Sequence, residues 1–260
     1  MTTLQGQRAL ITGASSGLGA DFARQLAAYG CHLVLVARRE DRMQTLAAEL
    51  RAKHNVGVEV VALDLGQVDA AQTLYDRLKA ASLSIDILVN NAGFGIFGEF
   101  TQQDWARNHE MMTLNIVTLT QLTHLYVKDM LARNHGYIVN ISSIGGYSPT
   151  PLYSTYSATK SYVLDFSDAL AYELRNTGVS VTCVSPGVTK TEFLDVSGQK
   201  PTFFQRSSMM TSESVVKQGI DAMLKRRRSF VTGKLNALLI WSLRLTPRFL
   251  QIRITENIMK

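Results

Sequence analysis

The sequence predicts an α/β fold built on a doubly wound parallel sheet, and three observations predict it. Short apolar runs alternate with longer helical patterns along the whole chain. The apolar runs are rich in Val, Ile and Leu with little alternation, as expected of strands covered on both faces. The strand–helix–strand order, with right-handed crossovers, then leaves helices on both sides of one sheet. Strands are predicted over 8–12, 32–37, 57–63, 85–90, 136–143, 179–185 and 229–232, giving a mostly parallel, seven-stranded sheet. Helices are predicted over 17–29, 41–53, 68–81, 104–134, 154–176 and 212–226. No repeat, low-complexity stretch or Pro/Gly-rich linker divides the chain, so 1–260 reads as a single domain. The stretch 193–211 lacks regular patterning and is expected to be a flexible loop.

Composition narrows the function. With 46% hydrophobic and 18% charged residues, the chain has the makeup of a globular domain rather than a disordered one. The net charge of +6 first suggests a nucleic-acid partner. Its distribution argues otherwise: residues 225–260 hold nine basic residues against the single acid Glu256 and carry +8, which leaves −2 for residues 1–224. The excess is a property of the tail, with no aromatic-interleaved basic motif, so no nucleic-acid partner is expected. No apolar run reaches the roughly 18–20 residues of a membrane-spanning helix. The polar start Met1-Thr2-Thr3-Leu4-Gln5-Gly6 carries no leader pattern, and Cys31 and Cys183 lie in apolar runs as expected of buried free thiols. Together these read as a cytoplasmic chain in a reducing compartment.

The segment Thr12-Gly13-Ala14-Ser15-Ser16-Gly17-Leu18-Gly19 follows the first strand and opens the first helix. Glycines there permit a tight turn and close approach of a pyrophosphate, whose charge the helix N-terminus favours. This is a Rossmann-type arrangement with the spacing G-x-x-x-G-x-G. At the end of the second strand, where an acid would hold the ribose hydroxyls of NAD, stand Ala37-Arg38-Arg39. Guanidinium groups pair with a 2′-phosphate, so NADP(H) is the expected cofactor.

The helix predicted from 154 carries Tyr156-Ser157-Ala158-Thr159-Lys160. A free tyrosine, with a pKa near 10, is a poor acid–base catalyst at neutral pH. Lys160, four residues on, lies on the same helical face, and its ammonium is expected to lower the Tyr156 pKa.

With these motifs in order, the sequence resembles the short-chain dehydrogenase/reductase family. The resemblance rests on Gly13/Gly17/Gly19, Asp64-Leu65 after the third strand, Asn90-Asn91-Ala92-Gly93 after the fourth, Asn115, Ser142-Ser143 after the fifth, Tyr156-x-x-x-Lys160, and Pro186-Gly187 after the sixth. It implies that Tyr156 is the general acid or base, that Lys160 holds the nicotinamide ribose, and that Ser143 hydrogen-bonds the substrate oxygen. Ser142 competes with Ser143, and the family spacing favours Ser143. Asn115 would hold a water that relays protons from Lys160, and Asn90 would lie beside the cofactor and brace the central strand. Cofactor contacts would come from Gly13, Ser15, Ser16, Gly17, Leu18, Gly19, Arg38, Arg39, Asp64, Leu65, Asn91, Ala92, Gly93, Pro186, Gly187, Val188, Thr189 and Thr191. No metal is assigned.

The substrate pocket is expected from Phe94, Ile96, Ser143, Ile144, Tyr147, Leu152, Tyr153 and Phe193, with 190–212 as a substrate loop. Most of these are apolar, and no carboxylate-binding clamp is evident, which favours an apolar ketone or aldehyde over an acid or a sugar. A 3-oxoacyl-thioester or lipid-ketone reductase shares the same chemistry. A non-catalytic NADP(H)-binding regulator on the same fold is the reading from another class. The apolar long helices, with Trp105, Met111, Met112, Leu114 and Val117, fit the homodimer or homotetramer common in the family. Residues 234–260 form a basic and apolar extension, with a helix over 234–245 stopped by Pro247. Leu235, Leu238, Leu239 and Leu245 share one face, widened by Ile240, Trp241 and Leu243, and Arg244 and Arg248 share another. Such a helix suits either a lid over the cleft or a partner subunit, or weak association with an anionic membrane surface.

Overall fold

Strand β1 (Arg8–Thr12) is central because Ala9, Leu10 and Ile11 are all fully buried. The computed structural model describes residues 4–259. The further strands are β2 (His32–Ala37), β3 (Val58–Ala62), β4 (Ile87–Asn90), β5 (Gly136–Ile141), β6 (Val179–Ser185), β7 (Thr189–Lys190), β8 (Met210–Thr211) and β9 (Ser229–Val231). Seven of them form one sheet in the order β3-β2-β1-β4-β5-β6-β9, and every neighbouring pair is parallel. The chain walks outward from β1 to β3, returns to β4 beside β1, and walks outward in the other direction. Helices on either side of that reversal diverge, which opens a crevice at the carboxyl ends of β1 and β4.

The helices are α1 (Gly17–Ala28), α2 (Glu40–His54), α3 (Ala70–Ala80), α4 (Trp105–Met112), α5 (Leu119–Ala132), α6 (Ser154–Glu173), α7 (Phe193–Ser197), α8 (Phe203–Ser207), α9 (Ser212–Leu224), α10 (Lys234–Leu243) and α11 (Arg248–Met259). On one face of the sheet, α1, α2 and α9 bury Phe22, Leu26, Met43, Leu50, Val216 and Ile220. On the other, α3 and α5 bury Leu74, Leu78, Leu122, Tyr126 and Met130. The recurrence of these side chains every three or four residues gives each helix its single apolar stripe.

The structure departs from the sequence reading in three places. The helix predicted over 104–134 is α4 and α5 joined by a π-helical stretch, Thr113–Thr118, whose wider turn contains Asn115. The loop expected over 193–211 contains α7 and α8, and the short ribbon β7–β8 clasps its ends. Pro247, read as a stop, also starts a helix: its carbonyl accepts from the Leu250 and Gln251 N–H groups at the head of α11. A proline costs nothing there because a helix start leaves its N–H unpaired.

Candidate active site

The phosphate end of the crevice is made by backbone that favours glycine. Gly13 and Gly17 have φ of +68° and +52°. A Cβ on Gly19 would lie 2.2 Å from the Gly13 carbonyl oxygen, so this glycine seats α1 against the turn. The Thr12 hydroxyl accepts from the Asn91 and Ala92 N–H groups at 3.0 Å each, and Asn91 Nδ2 donates to the Thr12 carbonyl at 2.9 Å. These bonds stitch the ends of β1 and β4 together beneath the crevice.

The crevice is a cavity of about 480 Å³. It is lined by Gly13, Ser15, Ser16, Gly17 and Leu18, by Arg38 and Arg39, by Asp64 and Leu65, by Asn91, Ala92 and Gly93, and by Pro186, Gly187, Val188, Thr189 and Thr191. A glycine-rich turn opening onto a helix N-terminus, with two guanidinium groups at one end, fits a dinucleotide phosphate. Two expected residues do not line it. Gly19 is taken up by packing against Gly13, and Asn90 is buried, its Nδ2 donating to Thr123 Oγ1 and Asn140 Oδ1 at 2.9 Å each. Asn90 thus braces the central strands, as expected, from beneath the crevice wall.

The arginines are tied across the cleft. Arg39 donates to the Ser15 hydroxyl from Nε and Nη2 at 3.2 and 3.1 Å, to the Ser16 hydroxyl at 2.7 Å, and to Glu192 at 2.8 Å. Arg42 donates to the other oxygen of Glu192 at 2.5 Å. Arg38 pairs with Glu110 at 3.3 Å.

At the other end of the same cavity, β5 delivers Ser142 and Ser143 while α6 delivers Tyr156 and Lys160. The Ser142 hydroxyl is spent on the Lys160 carbonyl at 2.7 Å. The Ser143 hydroxyl accepts from the Gly145 N–H at 3.1 Å and stands near enough to the Tyr156 hydroxyl to act on its pKa. Lys160 is buried, donates from Nζ to the Ile141 carbonyl at 2.9 Å, and lies 5.8 Å from the centre of the Tyr156 ring. Burial lowers its pKa from 10.5 to about 8. The sequence reading expected Lys160 to depress the Tyr156 pKa, and the structure corrects this. Desolvation raises the Tyr156 pKa, and the nearby Ser143 hydroxyl opposes the rise. Raised above its ordinary value, the phenol keeps its proton at neutral pH.

Asn115 does not line the cavity. Its Nδ2 donates to the Phe94 carbonyl and the Thr159 hydroxyl at 3.0 Å each, and its Oδ1 accepts from the Phe94 N–H at 3.3 Å. It therefore ties the segment after β4 to the helix that carries Lys160.

Beyond Tyr156 the wall is aromatic and apolar. Phe193 and Tyr153 lie 5.3 and 5.4 Å from the Tyr156 ring, and Phe94 and Ile144 also line the cavity. Tyr153 is fixed by Ser197 Oγ at 2.8 Å and Gln199 Oε1 at 3.0 Å. Ile96, Tyr147 and Leu152 do not reach the cavity; the Tyr147 hydroxyl instead meets Ser229 Oγ at 3.2 Å. Leu239, Ile240 and Leu243 of α10 fill the lid role expected for the tail helix, and the sequence reading missed α11, whose Ile254, Ile258 and Met259 complete the wall. The clue was present in the apolar spacing of Ile254 and Ile258 after Pro247. Thr255 anchors this helix hairpin by donating to the Pro149 carbonyl at 2.8 Å.

Residues 7–201 match the short chain dehydrogenase family. A human very-long-chain 3-oxoacyl-CoA reductase is 32% identical over 264 residues, covering 98% of this chain and 80% of its own. A solved 7β-hydroxysteroid dehydrogenase, studied for its stereoselectivity, superposes with a TM-score of 0.89 at 28% identity, covering 98% of this chain and 99% of the other. A short-chain dehydrogenase from Sphingobium yanoikuyae in complex with NADPH superposes with a TM-score of 0.82 at 34% identity, covering 92% and 94%. This chain is a nicotinamide-dinucleotide-dependent oxidoreductase of the short chain dehydrogenase family.

Proposed function

We propose that the protein is an NADP(H)-dependent carbonyl reductase acting on a bulky apolar ketone or aldehyde, or on the secondary alcohol in reverse. The observation that carries this reading is that Ser143, Tyr156 and Lys160 line one cavity together, at the point where the dinucleotide crevice meets an apolar wall. A bound nicotinamide supplies or accepts the hydride. Tyr156, kept protonated by its surroundings, donates its phenolic proton to the carbonyl oxygen as general acid. The Ser143 hydroxyl donates to the same oxygen and stabilises the charge that develops on it. The Lys160 ammonium, 5.8 Å from the Tyr156 ring, stabilises the phenolate left when that proton is given up. Arg38 and Arg39 support preference for the 2′-phosphate form of the cofactor, in keeping with the NADPH bound by the Sphingobium relative.

The size and character of the wall favour a large substrate. Residues 190–212 and the α10–α11 hairpin supply Phe193, Leu194, Ile240, Leu243, Ile254 and Ile258, and among the described residues they place no cation in that wall to hold a carboxylate. Relatives named for hydroxysteroids and for very-long-chain 3-oxoacyl-CoA point the same way, so a lipid ketone or an acyl thioester is the second reading. A non-catalytic regulator would need the glycine turn but not the Ser143–Tyr156 pair. The test is NADPH consumption with a panel of aromatic ketones, diketones, long-chain ketones and acetoacetyl thioesters. Turnover of the bulky apolar members supports the reading; a panel left wholly unreduced, with NADPH bound, favours the regulator.

Two surfaces carry proposals about partners. Trp105, Val117, Tyr162 and Tyr172 expose apolar area along α4–α6, the face proposed for a homodimer or homotetramer. The outer side of the tail exposes Leu235, Leu238, Trp241, Leu245 and Phe249 beside Arg244 and Arg248, which supports weak association with an anionic membrane surface. Among the described residues, no helix is long and apolar enough to cross a membrane.

A further inference from the structure

Glu192 lies outside every motif of the sequence reading, yet it holds the cations that the cofactor phosphate would need. Its two carboxylate oxygens take one guanidinium each, Arg39 at 2.8 Å and Arg42 at 2.5 Å. Arg39 in turn spans to Ser15 and Ser16 in the glycine turn, so a single side chain joins the phosphate loop to the loop that follows β7. Arg42 sits in the first turn of α2, four residues beyond Arg38 and on the same helical side as Arg39. Arg39 and Glu192, both half-exposed, line the crevice, and the half-exposed Arg42 reaches its edge through Glu192, so a ligand meets the group without unfolding anything.

We infer that Glu192 is a cofactor-specificity residue, an internal anion that competes with the 2′-phosphate of NADP(H) for Arg39 and Arg42. The inference rests on the NADP(H) reading above. An arginine fork accepts a carboxylate or a phosphate with similar geometry, and a phosphate carries more charge and more acceptor oxygens. Entry of the 2′-phosphate transfers Arg39 and Arg42 from Glu192 to the ligand, which makes Arg42 a third phosphate-binding cation. A cofactor without that phosphate leaves the Glu192 pairs in place. Glu192 also adjoins Phe193, which packs 5.3 Å from the Tyr156 ring, so the competition takes place at the base of the substrate wall.

The experiment measures dissociation constants of NADPH, NADH, adenosine 2′,5′-bisphosphate and 5′-AMP by calorimetry, for the wild type, Glu192→Gln and Arg42→Gln. With the competitor neutralised, Glu192→Gln is expected to bind NADPH and the bisphosphate about fivefold more tightly, the scale of one half-exposed ion pair. NADH and 5′-AMP should stay within about twofold, and their binding certifies that the variant is folded. Arg42→Gln should weaken NADPH and the bisphosphate only. Unchanged or weaker NADPH binding in Glu192→Gln overturns the inference, as does an equal effect on NADH. A wild type that binds NADH as tightly as NADPH sinks the cofactor reading itself, whereas a clear wild-type NADPH preference that Glu192→Gln leaves untouched sinks the competition alone.

Discussion

The Lys160 ammonium donates to the Ile141 carbonyl at 2.9 Å, which ties the helix carrying Tyr156 to the end of the strand that delivers Ser143. One bond thus fixes the relative positions of the two hydroxyls assigned to the reaction. It also leaves a cation buried beneath the crevice, at a cost to the fold.

That cost has a defined pH dependence. The Lys160 pKa is lowered from 10.5 to about 8 by burial. Between those two values the unfolded chain binds more protons than the folded one, so stability rises with pH across the window. Below about pH 8 the full penalty applies, on the order of 3 kcal/mol at 1.36 kcal/mol per unit. Lys160→Met removes the penalty along with a hydrogen bond of about 1 kcal/mol. The variant should therefore be about 2 kcal/mol more stable than the wild type at pH 7, and no more stable near pH 10.5. Urea unfolding at both pH values checks this; the same difference at both would contradict it.

Arg38 and Arg39 should set cofactor choice. Replacing both by Gln should weaken NADPH by about 1–3 kcal/mol for each lost charge-assisted bond, with little change for NADH. Titration with both cofactors reads it directly. An equal loss for NADPH and NADH would show that the arginines act only through Ser15, Ser16 and Glu192.

Gly19→Ala probes the turn apart from the chemistry. The added methyl would sit 2.2 Å from the Gly13 carbonyl oxygen, so α1 must move away from the turn that it caps. Dinucleotide binding should fall at least about tenfold, with a loss of stability in the range of about 1–3 kcal/mol typical of overpacking. Calorimetric binding and thermal melts measure the two effects, and wild-type values for both would remove the packing argument.

Much of this site was legible in the sequence because its chemistry is local. The strand–glycine turn–helix at 12–19 and the Tyr156–Lys160 spacing each lie within one element, and all seven strands of the main sheet follow from continuous apolar runs. What escaped depends on contacts between distant segments. Glu192 meets Arg39 across 153 positions, and Thr255 meets Pro149 across 106. Asn90 was placed beside the cofactor, but its amide turns into the sheet toward Asn140, which only the register of β4 against β5 reveals. The direction of the Tyr156 shift escaped for a similar reason: helical spacing puts Lys160 on the correct face, but the Ile141 carbonyl decides where its ammonium points.

The exposed faces make separate predictions. Light scattering at micromolar concentration should show a dimer or tetramer, and Trp105→Lys, at a residue 64% exposed on α4, should shift it toward monomer. A wild-type monomer would contradict the assignment of that face. The tail should bring the protein up with anionic vesicles at low salt, and Trp241→Ser with Leu238→Ser should abolish flotation while leaving oligomeric state and dinucleotide binding unchanged. Indifference of the wild type to anionic vesicles would leave the hairpin as a wall of the cavity alone.

The central claim is that Tyr156 delivers the proton during carbonyl reduction in this crevice. It is tested most directly by comparing wild type and Tyr156→Phe for NADPH oxidation with the best ketone of the panel, alongside NADPH affinity. The account predicts a fall in kcat of about 10²-fold or more, as expected for loss of a general acid, with NADPH binding within about twofold of wild type. A Tyr156→Phe variant that turns over at close to the wild-type rate would contradict it.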